Sequence, residues 1–236
     1  MSRTERSELL LGKDATAKLR GSYVAVFGVG GVGSYAAEAL ARAGVGRILL
    51  VDNDTVSESN INRQLIALTD TVGKPKVQVM AERIRAINPD AVVEHRQCFF
   101  EEENAGEFPF EELDYIVDAI DSVSSKVELI CRAKQANTPI ISSMGTGNKL
   151  DPTKFVVTDL YKTDTCPLAR VLRQRLRKRG VDSLDVVYST EPAMTPLETI
   201  ADGGRRQVPG SLPFVPPVAG MIAAGVVIRG LCGVEL

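Results

Sequence analysis

Apolar residues in this chain recur with two alternating periods. Short continuous runs read as strands buried on both faces, and segments of helical spacing separate them. Tyr23-Val24-Ala25-Val26-Phe27 is the first run, and a glycine-rich stretch follows at once. The alanine-rich residues 34–43 predict a helix stopped by Gly44. A second strand is expected at 48–51, ending in Asp52. Val77, Met80, Ile84 and Ile87 share one face of a helix predicted over 75–87. Pro75 suits its first turn, and Asn88-Pro89 stops it. Further strands are expected at 91–96, 114–118 and 139–143, with a helix at 124–136 between the last two.

Beyond Gly145 the pattern changes. Strands are expected at 155–160 and 184–188, flanking a basic helix over 167–179. Residues 190–217 carry six prolines and the pair Gly203-Gly204, which predicts a long irregular loop. The apolar stretch 212–234 is expected to form a buried C-terminal helix. Prolines at its start and Arg229 near its end leave a run too short for the roughly 20 apolar residues that cross a bilayer. Strand alternating with helix implies an α/β protein: a Rossmann-like, doubly wound, mostly parallel sheet with a C-terminal extension of strands and helices. No internal repeat is apparent. The expected organisation is a single unit over 1–236, its C-terminal third decorating a nucleotide-binding half over 1–150.

Composition narrows the class. In 236 residues, 44% are apolar and 25% charged, an ordinary globular balance. A formal charge of −2 argues against coating nucleic acid by bulk electrostatics but leaves room for a local basic patch. Cys98, Cys131, Cys166 and Cys232 form no CxxC pair, so neither structural zinc nor a disulfide framework is expected. Free thiols in a reducing cytosol are the simplest reading. Residues 1–6 lack the apolar core of a signal peptide.

Candidate chemistry concentrates after the first strand. Gly28, Gly30, Gly31 and Gly33 stand between a strand and a helix, where glycine lets backbone N–H groups approach a phosphate at a helix N-terminus. Asp52, at the end of the next strand, is placed to accept from ribose hydroxyls. A dehydrogenase uses the same fingerprint, yet the single histidine, His95, lies on a predicted strand and no Tyr-x-x-x-Lys pair exists. Phosphate chemistry suits the following residues better. Asp52, Asp54, Asn60, Arg63 and Gln64 share one loop, and Lys76 opens the next helix. Arginine and lysine neutralise a triphosphate as pyrophosphate departs, and a carboxylate such as Asp121 suits Mg²⁺ on those phosphates.

The glycine turn, the loop Asp52-x-Asp54 to Ser59-Asn60-x-Asn62-Arg63-Gln64, the run Gly73-Lys74-Pro75-Lys76 and Asp118-Ala119-Ile120-Asp121 together resemble the ThiF/MoeB/ubiquitin-activating superfamily. The resemblance implies ATP as cosubstrate. It assigns Asp52 to the ribose, Asn60, Arg63 and Lys76 to the phosphates, and Asp121 to the metal-bound triphosphate. It implies a homodimer in which Arg6 enters the partner's ATP site. Zinc-binding CxxC pairs of some members are missing here. Asp151-Pro152-Thr153, Thr158-Asp159-Leu160, Ser189-Thr190-Glu191 and the basic helix instead resemble the tRNA threonylcarbamoyladenosine dehydratase branch.

That branch implies ATP-dependent adenylation of a carboxylate on a modified adenosine of tRNA, followed by ring closure. A neighbouring nitrogen attacks the activated carbonyl intramolecularly, so no cysteine relay is needed. Cys166, before a predicted helix, is read as a small residue at the helix entry rather than a nucleophile. Arg170, Arg173, Arg177 and Lys178 are the candidate contacts to tRNA phosphates. A sulfur-transfer protein is a further candidate partner. Two other readings stay open at this point: adenylation of the C-terminal glycine of a ubiquitin-like or sulfur-carrier protein, and a non-catalytic nucleotide-binding scaffold.

Overall fold

A computed structural model describes residues 3–198 and 208–234, so the Gly203-Gly204 pair lies outside the described residues. Two short helices, α1 (Glu5–Leu11) and α2 (Lys13–Gly21), precede β1 (Tyr23–Phe27). Then follow α3 (Gly33–Ala43), β2 (Arg47–Val51), α4 (Lys76–Ile87), β3 (Val92–Arg96), β4 (Tyr115–Asp118), α5 (Val123–Gln135) and β5 (Ile140–Ser143). The chain ends with β6 (Phe155–Asp159), α6 (Pro167–Lys178), β7 (Asp185–Ser189) and α7 (Val215–Cys232). The sequence pattern predicts every element except α1 and α2. Both lie before the first apolar run, and α1 buries no residue.

The strands form one seven-stranded sheet in the order β3-β2-β1-β4-β5-β7-β6, parallel throughout except for the antiparallel β6–β7 pair. This is the doubly wound arrangement expected of the α/β pattern. Chain order reverses between β1 and β4, and ligands of such sheets bind at the carboxyl ends of strands flanking that reversal. Alternate residues of each central strand feed opposite cores, as the strand's two-residue period requires. Val24, Val26, Ile48, Leu50 and Val117 join the core under α3, α4 and α7. Ala25, Phe27, Leu49, Val51 and Ile116 join the core under α5 and α6. In the second core, Phe27 meets Phe100 edge-on at 5.2 Å and lies 5.5 Å from Phe108, pinning the 97–112 segment across the end of β1.

The C-terminal third is more than decoration. β7 pairs with β5 inside the common sheet, and α7 packs on α3, α2 and the strands. Helix α7 lies within the expected 212–234, but its apolar run is longer than that reading allowed. Pro216 and Pro217 sit in its first turn, where missing N–H groups cost nothing, so 18 residues are helical and apolar enough by length and composition to cross a membrane. Val215, Ala219, Ala223, Ala224 and Val227 are buried in the first core, which makes α7 a core helix.

Candidate active site

The glycine turn occupies the reversal point. Phe27 pairs with Val51 on one side and with Asp118 on the other, so the turn rises between Asp52 and Ala119. Gly28 has φ +86°, and a β-carbon there would meet the Ala119 carbonyl oxygen at 2.6 Å. At Gly33 a β-carbon would lie 1.7 Å from the Gly28 carbonyl oxygen. Only glycine closes the turn this tightly against the first turn of α3.

Asp52 grips the turn from the side. Its Oδ2 accepts from the Val29 N–H at 2.6 Å, and its Oδ1 accepts from the Asp54 N–H at 2.8 Å. Burial pushes the Asp52 carboxyl above its ordinary range, while Lys76 and the two backbone donors pull the other way. Lys76 opens α4 with only 5% of its surface exposed, and its Nζ donates to Asp54 Oδ2 at 2.7 Å. Asp54 remains half in solvent. The cation is therefore desolvated on the side facing Asp52 and held by one half-solvated carboxylate.

Arg63 and Gln64 approach the turn at Gly31 and Gly30. The Arg63 guanidinium donates to the Ser59 carbonyl at 3.0 Å and to Asn62 Oδ1 at 2.8 Å. Burial lowers its pKa, and it forms no ion pair among the described residues. A β-carbon on Gly31 would lie 3.4 Å from Arg63 Cγ, which places this side chain against the turn. Gln64 is buried, its Nε2 would lie 3.8 Å from a β-carbon on Gly30, and its Oε1 has no hydrogen-bond partner. An orphaned amide oxygen beneath a glycine turn is what a bound nucleotide would satisfy. Asn60 is buried beside them, its Oδ1 accepting from the Ser57 N–H at 3.1 Å and so capping the short turn that carries Arg63.

Asp121 is exposed on the turn between β4 and α5, with no hydrogen bond or ion pair among the described residues. Among the described residues no three His, Cys, Asp or Glu side chains gather as a metal site. A Mg²⁺ ion arriving with a triphosphate fits this arrangement, since it keeps most of its oxygen ligands from phosphate and water and asks the protein for one carboxylate.

A buried ion pair beside this cluster has no mark in the local sequence. The last residue of β4, Asp118, is wholly buried, with Lys126 Nζ at 2.7 Å and Ser142 Oγ at 2.6 Å from its Oδ2. Nothing in the local pattern marks Lys126, because one lysine in a helical run reads as solvated surface.

The other singled-out residues lie apart from this cluster. Arg6 is exposed on α1, whose preceding residue Thr4 touches the Gly44 end of α3, so α1 belongs to the edge opposite the glycine turn. The basic residues of α6 divide by role. The half-buried Arg173 donates to the Thr163 carbonyl at 2.8 Å, Arg177 stacks 5.1 Å over the Tyr161 ring, and Arg179 pairs with Glu128 at 3.0 Å. Arg170 and Lys178 are exposed, with no partner among the described residues. Cys166 stands at the N-cap of α6 but is only 4% exposed.

A family model described as ThiF family matches residues 3–235. The tRNA threonylcarbamoyladenosine dehydratase of Bacillus subtilis is 45% identical over 240 residues, covering 96% of this chain and 93% of its own. The Escherichia coli dehydratase, solved in complex with AMP, superposes with a TM-score of 0.89 at 38% identity, covering 98% of this chain and 94% of that one. Its complex with ATP gives 0.88 at 37% identity. The Escherichia coli ThiS adenylyltransferase, which serves a sulfur carrier protein, is 35% identical over 139 residues and reaches only 58% of this chain. A match that spans sheet, glycine turn and C-terminal helix alike makes this chain a member of the ThiF family.

Proposed function

We propose that this chain is an ATP-dependent tRNA threonylcarbamoyladenosine dehydratase, adenylating the carboxylate of N6-threonylcarbamoyladenosine in tRNA and closing it into a ring. The observation that carries this reading is the dehydratase match over 96% of the chain, with the desolvated Lys76, the unpaired Arg63 and the orphaned Gln64 oxygen around one glycine turn.

A carboxylate is a poor electrophile, because its charge is delocalised and its leaving group would be oxide. Attack of the carboxylate on the α-phosphorus of ATP expels pyrophosphate and leaves an acyl adenylate. The neighbouring nitrogen then attacks the acyl carbon, expels AMP and loses its proton. The oxygen lost from the base departs in AMP. In this reading the Gly28–Gly33 turn and α3 cradle the phosphates, and Asp52 and Gln64 hold the ribose side. Arg63 and Lys76 face the charge that builds on the departing pyrophosphate, in a site dry enough for each to count. Asp121 would hold the Mg²⁺ that comes with the triphosphate, an ion that would neutralise phosphate charge there. Residues 1–150 bind ATP, and residues 151–236 present the substrate. The free basic face of α6, Arg170 and Lys178 foremost, contacts tRNA phosphates in the cytosol.

Arg6 lies at the edge opposite its own glycine turn, and Leu9 and Leu10 beside it are 82% and 88% exposed. Both facts support a homodimer in which Arg6 serves the partner's site. Mixing Arg6→Ala with Arg63→Ala subunits then restores activity that neither has alone, and no restoration places Arg6 outside catalysis in trans. The main test is incubation with ATP, Mg²⁺ and tRNA bearing the modified adenosine. Loss of one water from the nucleoside by mass spectrometry, with AMP formed in equal amount, is expected. Adenylation of a Gly-Gly-tailed carrier protein without tRNA dehydration would replace this reading with the carrier-activating one.

A further inference from the structure

We infer that the buried triad Asp118–Lys126–Ser142 is a positioning device for the turn that carries Asp121. The inference rests on the proposed contact of Asp121 with the metal-bound triphosphate. All three side chains are completely buried beneath the reversal point of the sheet. They join three elements: Asp118 ends β4, Lys126 lies in the first turn of α5, and Ser142 sits in β5. Lys126 Nζ reaches Asp118 Oδ2 at 2.7 Å and Ser142 Oγ at 3.2 Å, and Ser142 Oγ donates to the same carboxylate oxygen at 2.6 Å.

The remaining carboxylate oxygen turns to the backbone that leads to Asp121. Asp118 Oδ1 accepts from the Ile120 N–H at 3.2 Å, curling residues 118–120 so that Asp121 leaves the turn at a set angle. Ala119 between them donates its N–H to the Phe27 carbonyl at 2.8 Å. Its own carbonyl presses on Gly28, which has no room for a β-carbon there. The triad therefore fixes from below both the carboxylate proposed for the metal and one wall of the phosphate turn.

Packing alone does not call for an ion pair at this spot. Two charges removed from water recover their desolvation only through close mutual contact, and apolar residues of the same volume are often as stable or more so. What the pair supplies is direction. A carboxylate held by an ammonium, a hydroxyl and an amide N–H on separate elements has one orientation, whereas an apolar side chain has several.

The double variant Asp118→Asn/Lys126→Met removes both charges together and leaves neither unpaired. By calorimetry its affinity for ATP in excess Mg²⁺ is expected to fall about tenfold, while affinity for ATP in EDTA stays within twofold and thermal unfolding of the free protein shifts by only a few degrees. Asp121→Asn is expected to lose the same Mg²⁺-dependent part. The triple variant loses no more than Asp121→Asn alone, because the triad acts through Asp121. Mg²⁺-dependent affinity equal to the parent's in the double variant, with Asp121→Asn still defective, overturns the positioning role and leaves the site reading intact. Parental affinity in Asp121→Asn instead removes the proposed contact itself. Should the double variant not fold, Ser142→Ala takes its place. It drops one hydrogen bond to Asp118, and a Mg²⁺-specific loss of about threefold is expected; an unchanged value overturns the inference equally.

Discussion

Two carboxylates withdrawn from solvent, the buried Glu38 of α3 and the half-buried Asp52 at the end of β2, are treated in opposite ways. Burial alone would raise Glu38, but Arg83 and Arg42 close around it at 2.6–2.8 Å and hold its pKa below the ordinary range. Asp52 receives two backbone N–H groups and only the field of Lys76, itself bonded to Asp54, and burial keeps its pKa high. Glu38 is finished: every strong partner it needs is in the chain, and it ties α3 to α4. Asp52 and its neighbours retain unused capacity, in the Gln64 oxygen without a donor and the Arg63 guanidinium without an acid. Where a fold leaves polar groups incompletely answered at the carboxyl ends of its strands, a ligand supplies the remainder.

The sharpest way to break this comparison is to remove the two cations of the cluster, Arg63 with no acid and Lys76 held by one half-exposed carboxylate. Arg63→Ala/Lys76→Ala is expected to slow AMP formation by about a thousandfold or more, the scale of lost transition-state charge stabilisation, while the protein still folds. AMP formed at the parental rate would show the cluster to be another finished structural contact. Next in size is the basic helix. Arg170→Glu/Lys178→Glu is expected to weaken tRNA binding about tenfold, to flatten its salt dependence, and to leave ATP affinity alone. Charge reversal at Arg173 instead unseats the 160–163 turn, so its effect falls on stability.

A smaller effect probes the finished carboxylate. Glu38→Gln is expected to cost about 1–2 kcal/mol in denaturant unfolding, allowing for its partly solvated arginines, without changing the turnover of ATP. Large loss of turnover at unchanged stability would erase the distinction between the two acids. The pH dependence is subtler and opposite in sign. The Asp52 value is raised, so its contribution is complete below about 3.8, the ordinary value, and is lost as pH rises through the folded value. The Glu38 value is lowered, so its contribution is complete above 4.5 and is lost as pH falls through the folded value. Denaturation curves of Asp52→Asn and Glu38→Gln should therefore diverge from the parent in opposite directions between neutral and acid pH, and parallel behaviour would contradict the assignment. Smallest of all, Cys166→Ala is expected to alter the dehydration rate less than twofold, because the thiol is buried at a helix entry. A collapse of the rate would make it a nucleophile.

The sequence carried the central elements because each announces itself locally. Strands β1 to β5 are apolar runs, α3 and α4 show helical spacing with Gly44 and Asn88 at their ends, and the order of glycines, acids and cations follows the chain from Gly28 to Lys76. Helices α1 and α2 were illegible because they lack a continuous apolar face. Helix α7 falls within the expected 212–234, and what its prolines obscured is only that they belong to the helix, which tolerates them in its first turn. Among the candidate site residues, Asp52, Arg63, Gln64 and Lys76 gather around the glycine turn, while Arg6 lies at the opposite edge and Arg173 is bonded to the Thr163 carbonyl.

By itself the chain determined which residues alternate between two cores, where glycine is obligatory, and which polar types cluster in one loop, since these follow from periods of two and 3.6 and from backbone sterics. Only the tertiary structure decided which charges are spent and which are free. That depends on partners brought from distant segments: Lys126 and Ser142 to Asp118, Arg83 to Glu38, Lys76 to Asp54. Desolvation, which sets what an unpaired group can do, exists only once the sheet has closed over them.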